Sequence, residues 1–344
     1  MLGVAALDIR ILLSGYGTVG QAFCQLIAEK TDFIAQTYGF RPLVVGVIGS
    51  QGCLYDPEGL QVSELVKCEK GSAGLARYAR TFGKMMEEPV FEADVLIEST
   101  PTNHQDGGPG LPYIQKALTN RMHVVSISKG ALVTHFSDIM NTARQQRVQV
   151  KYSGATGAAL PALDIGLVSL AGTQLQSIEG ILNGTTNYIL TSMHDAEMSY
   201  QDALTLAQEK GIAETNPALD VSGIDSASKI LLLSNSLFDT ALSLQQVAIT
   251  GIETVQLDEI RRAKQSGAQI KLLARAAKAD GHIHVSVAPE AITPEHPLYG
   301  VNGTNKAVRF LTEEMGSIVC SGGASHPRGA AAAALKDLIS IFRR

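Results

Sequence analysis

Five short apolar runs alternate with helical patterns in the first part of the chain, and this alternation restricts the possible folds more than any other feature. The runs are IRILLSG (9–15), PLVVGVIGS (42–50), ADVLIEST (93–100), MHVVSIS (122–128) and VQVKYSG (148–154). Their near-continuous apolar character is typical of parallel strands that are covered on both faces. Strands that alternate with helices form βαβ units, so the sequence predicts an α/β fold with a doubly wound parallel sheet.

The first strand runs into GYGTVG, which opens the first helix. Gly15 permits a tight turn, Gly17 lets the backbone approach a pyrophosphate, and Gly20 allows the helix to pack closely on the strand. The free N–H groups at the start of that helix, at Thr18 and Val19, face an anion. An ordinary glycine-rich turn is the alternative, but the position between strand and helix favours a Rossmann-type dinucleotide-binding domain.

The second strand ends in VIGSQG, without the acidic residue that grips the ribose hydroxyls of NAD, and Asp56 comes too late to serve. Nor does the sequence show an arginine or lysine at this point that could bind the 2′-phosphate of NADP. The residues at the end of the second strand mildly favour NADP as the cofactor, and NAD is the alternative.

The regular alternation of strands and helices ends near Leu160, and longer helices dominate after it. We therefore predict two domains. The expected division is a dinucleotide-binding domain over residues 1–152 and an α+β domain over residues 153–319, with a last helix (about 320–344) that packs back on the first domain. In the second domain the patterns predict strands at SIEGIL (177–182) and HIHVSVAPE (282–290). They predict helices at 200–211, 222–238 and 257–277.

Composition excludes several classes of protein. The net charge of −5, with no basic run, argues against nucleic acid or an anionic membrane as the partner. Four cysteines without metal-ligand spacing suit a reducing cytoplasm, and eight histidines show no metal motif. The N-terminus lacks a signal peptide, and no apolar run reaches the roughly 18 residues of a membrane span. We therefore expect a cytoplasmic protein.

Two polar segments interrupt the apolar pattern of the second domain. The first is ILNGTTNYIL (181–190), where Asn183–Gly184 predicts a tight turn and Thr185 or Thr186 a helix cap. The second is EKGIAETNPALDVSGIDSASK (209–229), where Gly211 ends one helix and Ser222 caps the next. Asp225 and Lys229 then share one helix face, either as a surface ion pair or as groups in a cleft.

Lys129 follows an apolar strand, at the carboxyl end where doubly wound sheets place their ligands. A solvated loop lysine is the alternative interpretation.

These segments together resemble the homoserine dehydrogenase family over nearly the whole chain. NGTTNYIL and GIAETNPALDVSGIDSASK are similar to its two signatures, and DGGPG (106–110) and SGGAS (321–325) are weaker matches. A chain that ends at Arg344 implies the short form, without a C-terminal regulatory domain. The resemblance implies NAD(P)H-dependent interconversion of L-aspartate 4-semialdehyde and L-homoserine by a homodimer that pairs through the second domain.

The resemblance also implies roles for individual residues. Lys229 donates a proton to the aldehyde oxygen, Asp225 orients it, and Lys129 polarises that oxygen or bridges cofactor and substrate. Glu214 and Asp220 contact the substrate, with Thr185 beside them. The cofactor contacts are then Gly15, Gly17, Thr18, Val19, Gly20, Ser99, Thr100, Lys129, Gly211 and Gly323.

Two positions depart from the family pattern. Ser128 stands where the family usually has asparagine, and Ser153 where a glutamate helps to hold a sodium or potassium ion. We therefore predict no metal site. Two alternatives stay open: a dehydrogenase of the same build that acts on another small amino- or hydroxy-aldehyde, and a nucleotide-binding sensor without catalysis.

Overall fold

The computed structural model describes residues 7–323 and 326–343. The chain forms two compact units, one that runs to Ala158 and resumes at His326, and one that begins at Ala159. The division thus falls after Ala158 and not after residue 152, because the short helix that starts at Ser153 is bound to the first unit by hydrogen bonds to Asp337.

Within the described residues, six strands form the sheet of the first unit. They are β1 (Leu7–Ser14), β2 (Phe40–Gly49), β3 (Gly52–Tyr55), β4 (Val95–Glu98), β5 (His123–Ser126) and β6 (Val150–Lys151). Their order is β3-β2-β1-β4-β5-β6, which is the doubly wound order. This confirms the predicted Rossmann-type fold.

The sheet is parallel except at one edge. β3 pairs antiparallel with β2, and the sequence pattern missed it. Its connection from β2 is only the turn at Ser50–Gln51, and a turn of that length returns the chain antiparallel, whereas a parallel neighbour needs a long crossover.

Helices connect and cover these strands. They are α1 (Thr18–Tyr38), α2 (Val62–Leu65), α3 (Ser72–Thr81), α4 (Gly110–Thr119), α5 (Gly130–Gln146) and α6 (Ser153–Gly157). The core on the β1 side is built around fully buried residues such as Phe23, Ile27 and Leu13.

The second unit holds a separate sheet. Its strands are β7 (Leu175–Ile181), β8 (Ala248–Ile249), β9 (Gln269–Ala279), β10 (His282–Ile292), β11 (Ala307–Thr312) and β12 (Gly316–Ser321). Their order is β12-β11-β7-β9-β10-β8, antiparallel except for the short β8–β10 pair. The predicted strands at 177–182 and 282–290 correspond to β7 and β10.

The helices of the second unit connect these strands, and several of them contact the sheet. They are α7 (Ala162–Asp164), α8 (Gly184–Ala196), α9 (Tyr200–Glu209), α10 (Ala218–Val221), α11 (Ile224–Leu237) and α12 (Leu257–Gln265). A π-helical turn (Ile165–Ser169) and a 3₁₀ turn (Leu244–Gln246) complete the unit. α8, α11 and α12 contact the sheet at β9, and α11 also contacts β7.

The predicted helix over 257–277 is wrong in its second half. α12 ends at Gln265, and Gly267 has a left-handed φ of 76°, so the chain turns out of the helix there. Residues from Gln269 form β9, the strand between β7 and β10. A run of buried apolar residues fits helix or strand equally well by pattern, and here pairing on both sides selects the strand.

The last helix is α13 (Pro327–Phe342), which belongs to the first unit and packs on α1. Arg328 pairs with Glu29 of α1. The helix begins later than the predicted residue 320 because residues up to Ser321 form β12 of the second sheet. In residues 7–323 and 326–343, no helix is both long and apolar enough for a membrane span.

Candidate active site

The turn between β1 and α1 needs its glycines for steric reasons. Gly15 has a φ of 89°, and a Cβ there would lie 2.6 Å from the carbonyl oxygen of Ser99. A Cβ on Gly20 would lie 2.1 Å from the carbonyl oxygen of Gly15, so only glycine lets α1 approach the turn this closely. A Cβ on Gly17, by contrast, would meet nothing within 4 Å. Gly17 therefore faces open space where a ligand can approach the backbone.

The first turn of α1 is built to receive an anion. Gly17 is its N-cap, no side chain caps the helix, and no acidic residue lies in its first turn. Its N–H groups and the positive end of its dipole are therefore available. A further positive charge is close by, because the Lys70 ammonium donates a hydrogen bond to Thr18 Oγ1 over 2.8 Å.

A cavity of about 430 Å³ lies against this turn. Seven of the predicted cofactor residues line it or support it: Gly15, Gly17, Thr18, Val19, Ser99 and Thr100 line the wall, and Gly20 packs beneath the turn. Tyr16, Ile48, Gly49, Ser50, Gly71, Ser72, Pro101, Pro109 and Tyr113 complete the lining. The structure thus brings together the cofactor residues that were predicted in the first unit, apart from Lys129.

The end of β2 lies at this cavity and carries no acid. Ser50 Oγ and Ser72 Oγ are 2.8 Å apart at the wall, and Asp56 is paired instead with Lys84 at 2.5 Å. No arginine or lysine stands at the end of β2, and Lys70, from the segment before α3, is a basic residue beside the turn that sequence reasoning missed. No acidic residue is among the described residues that line the cavity.

A buried carboxylate that sequence reasoning missed organises the ends of β4 and β5. Glu98, fully buried, accepts hydrogen bonds from Thr100 N (2.7 Å), Thr100 Oγ1 (2.6 Å), Ser126 Oγ (2.8 Å) and Ser128 Oγ (2.6 Å). It thereby fixes Thr100 at the cavity and Ser128 directly before Lys129. Lys129 itself is half-buried at the start of α5, and its backbone N–H donates to Thr102 Oγ1 over 3.3 Å. An acid that ends an apolar strand is the signal that could have revealed Glu98.

In the second unit, the polar segment at 183–187 begins α8. Asn183, not Thr185 or Thr186, is the N-cap: its Oδ1 accepts from the backbone N–H of Thr186 over 2.9 Å. Asparagine is as good a cap as threonine, and it precedes Gly184 at the point where the backbone is still extended. The predicted cap at Ser222 is also wrong, because Gly223 is the N-cap of α11 and Ser222 Oγ is buried without a hydrogen-bond partner.

The other end of the Asn183 amide joins two carboxylates. Its Nδ2 donates to Asp220 Oδ1 over 2.6 Å and to Asp225 Oδ2 over 2.8 Å. Asp225 also pairs with Lys229 at 2.5 Å, and both side chains are largely buried, with 14% and 13% exposed. The Lys229 ammonium donates in addition to the Leu182 carbonyl over 2.9 Å. The surface ion pair that was the alternative interpretation is therefore excluded.

Burial, followed by the negative charge of Asp225, raises the pKa of the Asp220 carboxyl above its ordinary value. Glu214 contributes in the same direction, so it lies close enough to act on Asp220 although it is exposed. A cluster of carboxylates whose mutual repulsion is only partly relieved is suited to bind a cation such as an ammonium group.

The remaining predicted residues of the second unit lie around this cluster or at turns. Thr185 Oγ1 donates to the Ile212 carbonyl over 3.1 Å, which links α8 to the turn after α9. Gly211 has a φ of 67° and ends α9, as predicted. Gly323 packs against the backbone at Leu160, and the rest of the SGGAS segment, residues 324 and 325, lies outside the described residues.

Comparison with known proteins gives family matches that cover most of the chain. Residues 161–339 match the family described as homoserine dehydrogenase, and residues 15–153 match the homoserine dehydrogenase NAD-binding domain. The chain belongs to the homoserine dehydrogenase family. It is accordingly an NAD(P)-dependent oxidoreductase, and the first unit carries the family's NAD-binding domain.

Individual relatives cover nearly the full chain. An NAD(+)-dependent homoserine dehydrogenase of Pseudomonas canavaninivorans is 32% identical over 98% of this chain and 97% of its own. A homoserine dehydrogenase of Methanocaldococcus jannaschii is 32% identical over 96% of this chain and 98% of its own. The crystal structure of an Archaeoglobus fulgidus protein assigned as a homoserine dehydrogenase is 31% identical, superposes with a TM-score of 0.83, and covers 98% of this chain and 100% of its own.

The cation site implied by the family does not fit the residues present here. Ser153 Oγ donates to Asp337 Oδ1 over 2.9 Å, the Ser153 N–H donates to Asp337 Oδ2 over 2.9 Å, and Lys336 Nζ donates to Ser153 Oγ over 2.7 Å. A sodium or potassium ion bound at this oxygen would face an ammonium group at hydrogen-bond distance. Among the described residues, no group of three His, Cys, Asp or Glu side chains could hold a metal ion.

Two buried lysines of the second unit also escaped sequence reasoning. Lys271 donates to the Val301 carbonyl (2.8 Å) and to Asn302 Oδ1 (2.6 Å), and Lys306 is 3% exposed at the start of β11. Burial lowers the pKa of each to about 8. Their sequence context is apolar strand or turn, so no local signal marks them.

The glycine geometry predicts different outcomes for two substitutions. Gly17→Ala should leave the melting temperature within about 2 °C, because its Cβ meets no protein atom, but should raise the KM for NAD(P)H at least tenfold, because the methyl group takes the space of the bound phosphates. Gly20→Ala should lower the melting temperature by several degrees through its overlap with the Gly15 carbonyl. Thermal melts and steady-state kinetics check both. Equal effects of the two variants on KM and melting temperature would contradict this account.

Proposed function

We propose that this protein interconverts L-aspartate 4-semialdehyde and L-homoserine, with NAD(P)H as the hydride donor in the direction of homoserine. The observation that carries the proposal is the buried array of Lys229, Asp225, Asn183 and Asp220 in a chain of this family. It combines a proton donor with carboxylates for an ammonium group, and the proposed substrate carries both an aldehyde and an α-ammonium group.

When bound, the nicotinamide cofactor supplies or accepts the hydride. The chain's own part is to hold it: the turn at Gly15, Gly17 and Gly20 and the first N–H groups of α1, at Thr18 and Val19, receive the pyrophosphate. Ser99 and Thr100 form the adjoining part of the wall. Ser99 Oγ donates to the Gly15 carbonyl over 2.9 Å, so the wall and the turn are held together. The contacts predicted at Lys129, Gly211 and Gly323 stay predictions.

NADP(H) is the cofactor that we favour. No carboxylate in the described lining would repel a 2′-phosphate, and Ser50, Ser72 and the ammonium of Lys70 at Thr18 offer donors for phosphate oxygens. NAD(H) is the alternative, since the named Pseudomonas relative depends on NAD(+).

Lys229 is the proposed general acid. Hydride addition to the aldehyde carbon leaves negative charge on oxygen, which an ammonium group can stabilise and then protonate. Its hydrogen bonds to Asp225 and to the Leu182 carbonyl fix two directions of the ammonium group, and its third proton can point to the substrate. Asp225 is thus a positioning residue. The role of Lys129 in polarising the same oxygen stays a prediction.

The substrate's α-ammonium group is proposed to bind at Asp220 and Glu214, with Thr185 beside them. Burial, followed by the negative charge of Asp225, raises the pKa of Asp220, and a bound ammonium group would favour its charged form. The Thr185 hydroxyl reaches the Ile212 carbonyl, two residues before Glu214, and so helps to place this carboxylate.

We further propose that the reaction needs no monovalent cation, because the Lys336 ammonium and Asp337 already satisfy Ser153. A cytoplasmic homodimer fits the four free thiols and the exposed Ile318 and Val319 on the edge strand β12. Light scattering would test this oligomeric state.

Oxidation of NADPH and NADH with L-aspartate 4-semialdehyde tests the proposed reaction directly. We expect turnover with both cofactors, a higher kcat/KM with NADPH, and a change of less than twofold when KCl replaces a large organic cation at constant ionic strength. The 340 nm absorbance measures each rate. Turnover with other small aldehydes alone would indicate the alternative dehydrogenase, and cofactor binding without any turnover would indicate the sensor.

Lys229→Met should lower kcat at least about 100-fold, the loss typical of removing a general acid. The KM for NAD(P)H should change less than threefold, because the variant leaves the first unit intact. Lys278→Met, an exposed lysine of the same unit, is the matched control and should keep full activity. A loss of less than tenfold in Lys229→Met would contradict the assignment.

A further inference from the structure

Lys306 lies beside the proposed acid, on the strand next to β7. In the register of β11 with β7, Ala307 pairs with Ile181, so Lys306 stands one position further, opposite Leu182. Leu182 is the residue whose carbonyl accepts the hydrogen bond from Lys229. The backbone of Lys306 therefore flanks the main-chain atom that positions the Lys229 ammonium group.

One hydrogen bond holds the backbone of Lys306 itself, and three others hold the segment just before it. The Gly322 N–H donates to its carbonyl over 2.9 Å, on the side of β12. Asn187, four residues after the cap of α8, donates to the Asn305 carbonyl over 3.0 Å and to the Val301 carbonyl over 3.0 Å. Lys271 binds the Val301 carbonyl as well, over 2.8 Å. Such a site is preorganised, since little ordering is left for a ligand to impose.

The side chain of Lys306 is 3% exposed, and it shares a face of β11 with the fully buried Val308 and Phe310. Burial and then the charge of Lys229 lower its pKa to about 8, and Asp225 acts in the opposite direction. The three charges therefore lie within electrostatic range of one another. A lysine is seldom buried in this way unless its charge serves a structural or functional purpose.

We propose that Lys306 is a specificity residue that receives the α-carboxylate of the substrate. This inference rests on the proposed function, because the proposed substrate is a zwitterion. Asp220 and Glu214 account for its ammonium group and Lys229 for its aldehyde oxygen, and Lys306 supplies the positive charge that its carboxylate requires. The chemical class selected is an α-amino acid with a reactive oxygen at the end of its side chain, rather than a simple amine or aldehyde.

The experiment compares L-homoserine with L-homoserine amide, which keeps the shape and the ammonium group but removes the negative charge. In Lys306→Met, the KM for L-homoserine should rise at least tenfold, while kcat at saturation and the kcat/KM for the amide stay within threefold. Lys306→Arg should recover most of the homoserine affinity, and Lys278→Met should match the wild type. Thermal melts check that each variant is folded.

Other outcomes overturn the inference. Equal losses for homoserine and its amide would show that Lys306 acts through Lys229 or the fold, and unchanged kinetics for both would show that it has no part in binding. If the wild type does not turn over homoserine, the proposed function fails separately. Calorimetric binding of homoserine to wild type and Lys306→Met, in the presence of NADP+, then tests Lys306 on its own: equal affinities or no binding would refute it.

Discussion

One side-chain amide connects the buried charged groups of the second unit. Asn183 caps α8 with its oxygen and donates from its nitrogen to both Asp220 and Asp225. Two carboxylates that share so small and buried a space repel each other, and a neutral donor between them reduces this repulsion without neutralising either. The amide thus holds together the end of β7, the start of α8 and the start of α11.

The lysines of the site are arranged around this centre. Asp225 accepts hydrogen bonds from both Asn183 and Lys229. The Lys229 ammonium also donates to the Leu182 carbonyl, directly after β7. Lys306 lies opposite Leu182, at the start of the neighbouring strand β11. Asn187 and Lys271 secure the segment that leads to Lys306. The polar segment at 183–187 therefore serves two purposes: Asn183 connects the charged groups, and Asn187 anchors the segment that precedes the buried Lys306.

Features of the fold and of the site that depend on a local pattern or on a strict steric demand could be predicted from the sequence. The Rossmann-type sheet, the roles of Gly15 and Gly20, the end of α9 at Gly211 and the family itself were all predicted. A distant partner decided the outcome at β3, an antiparallel edge strand that was missed, and at β9, which stands in place of a predicted helix. The wrong caps of α8 and α11 were local errors, because the neighbouring Asn183 and Gly223 cap these helices. Lys306 was missed because its neighbours come from another strand and no local spacing reveals it. Glu98 carried a local signal, an acid at the end of an apolar strand, but its partners Ser126 and Ser128 come from the next strand and its end.

Asn183→Ser offers the most direct test of the central claim. Serine can still cap α8, but its short hydroxyl cannot join both carboxylates, so the helix should persist while the site is disrupted. We expect kcat/KM for L-homoserine to fall at least about 100-fold while the far-ultraviolet circular dichroism is unchanged. A folded variant with kcat/KM within threefold of the wild type would contradict the account.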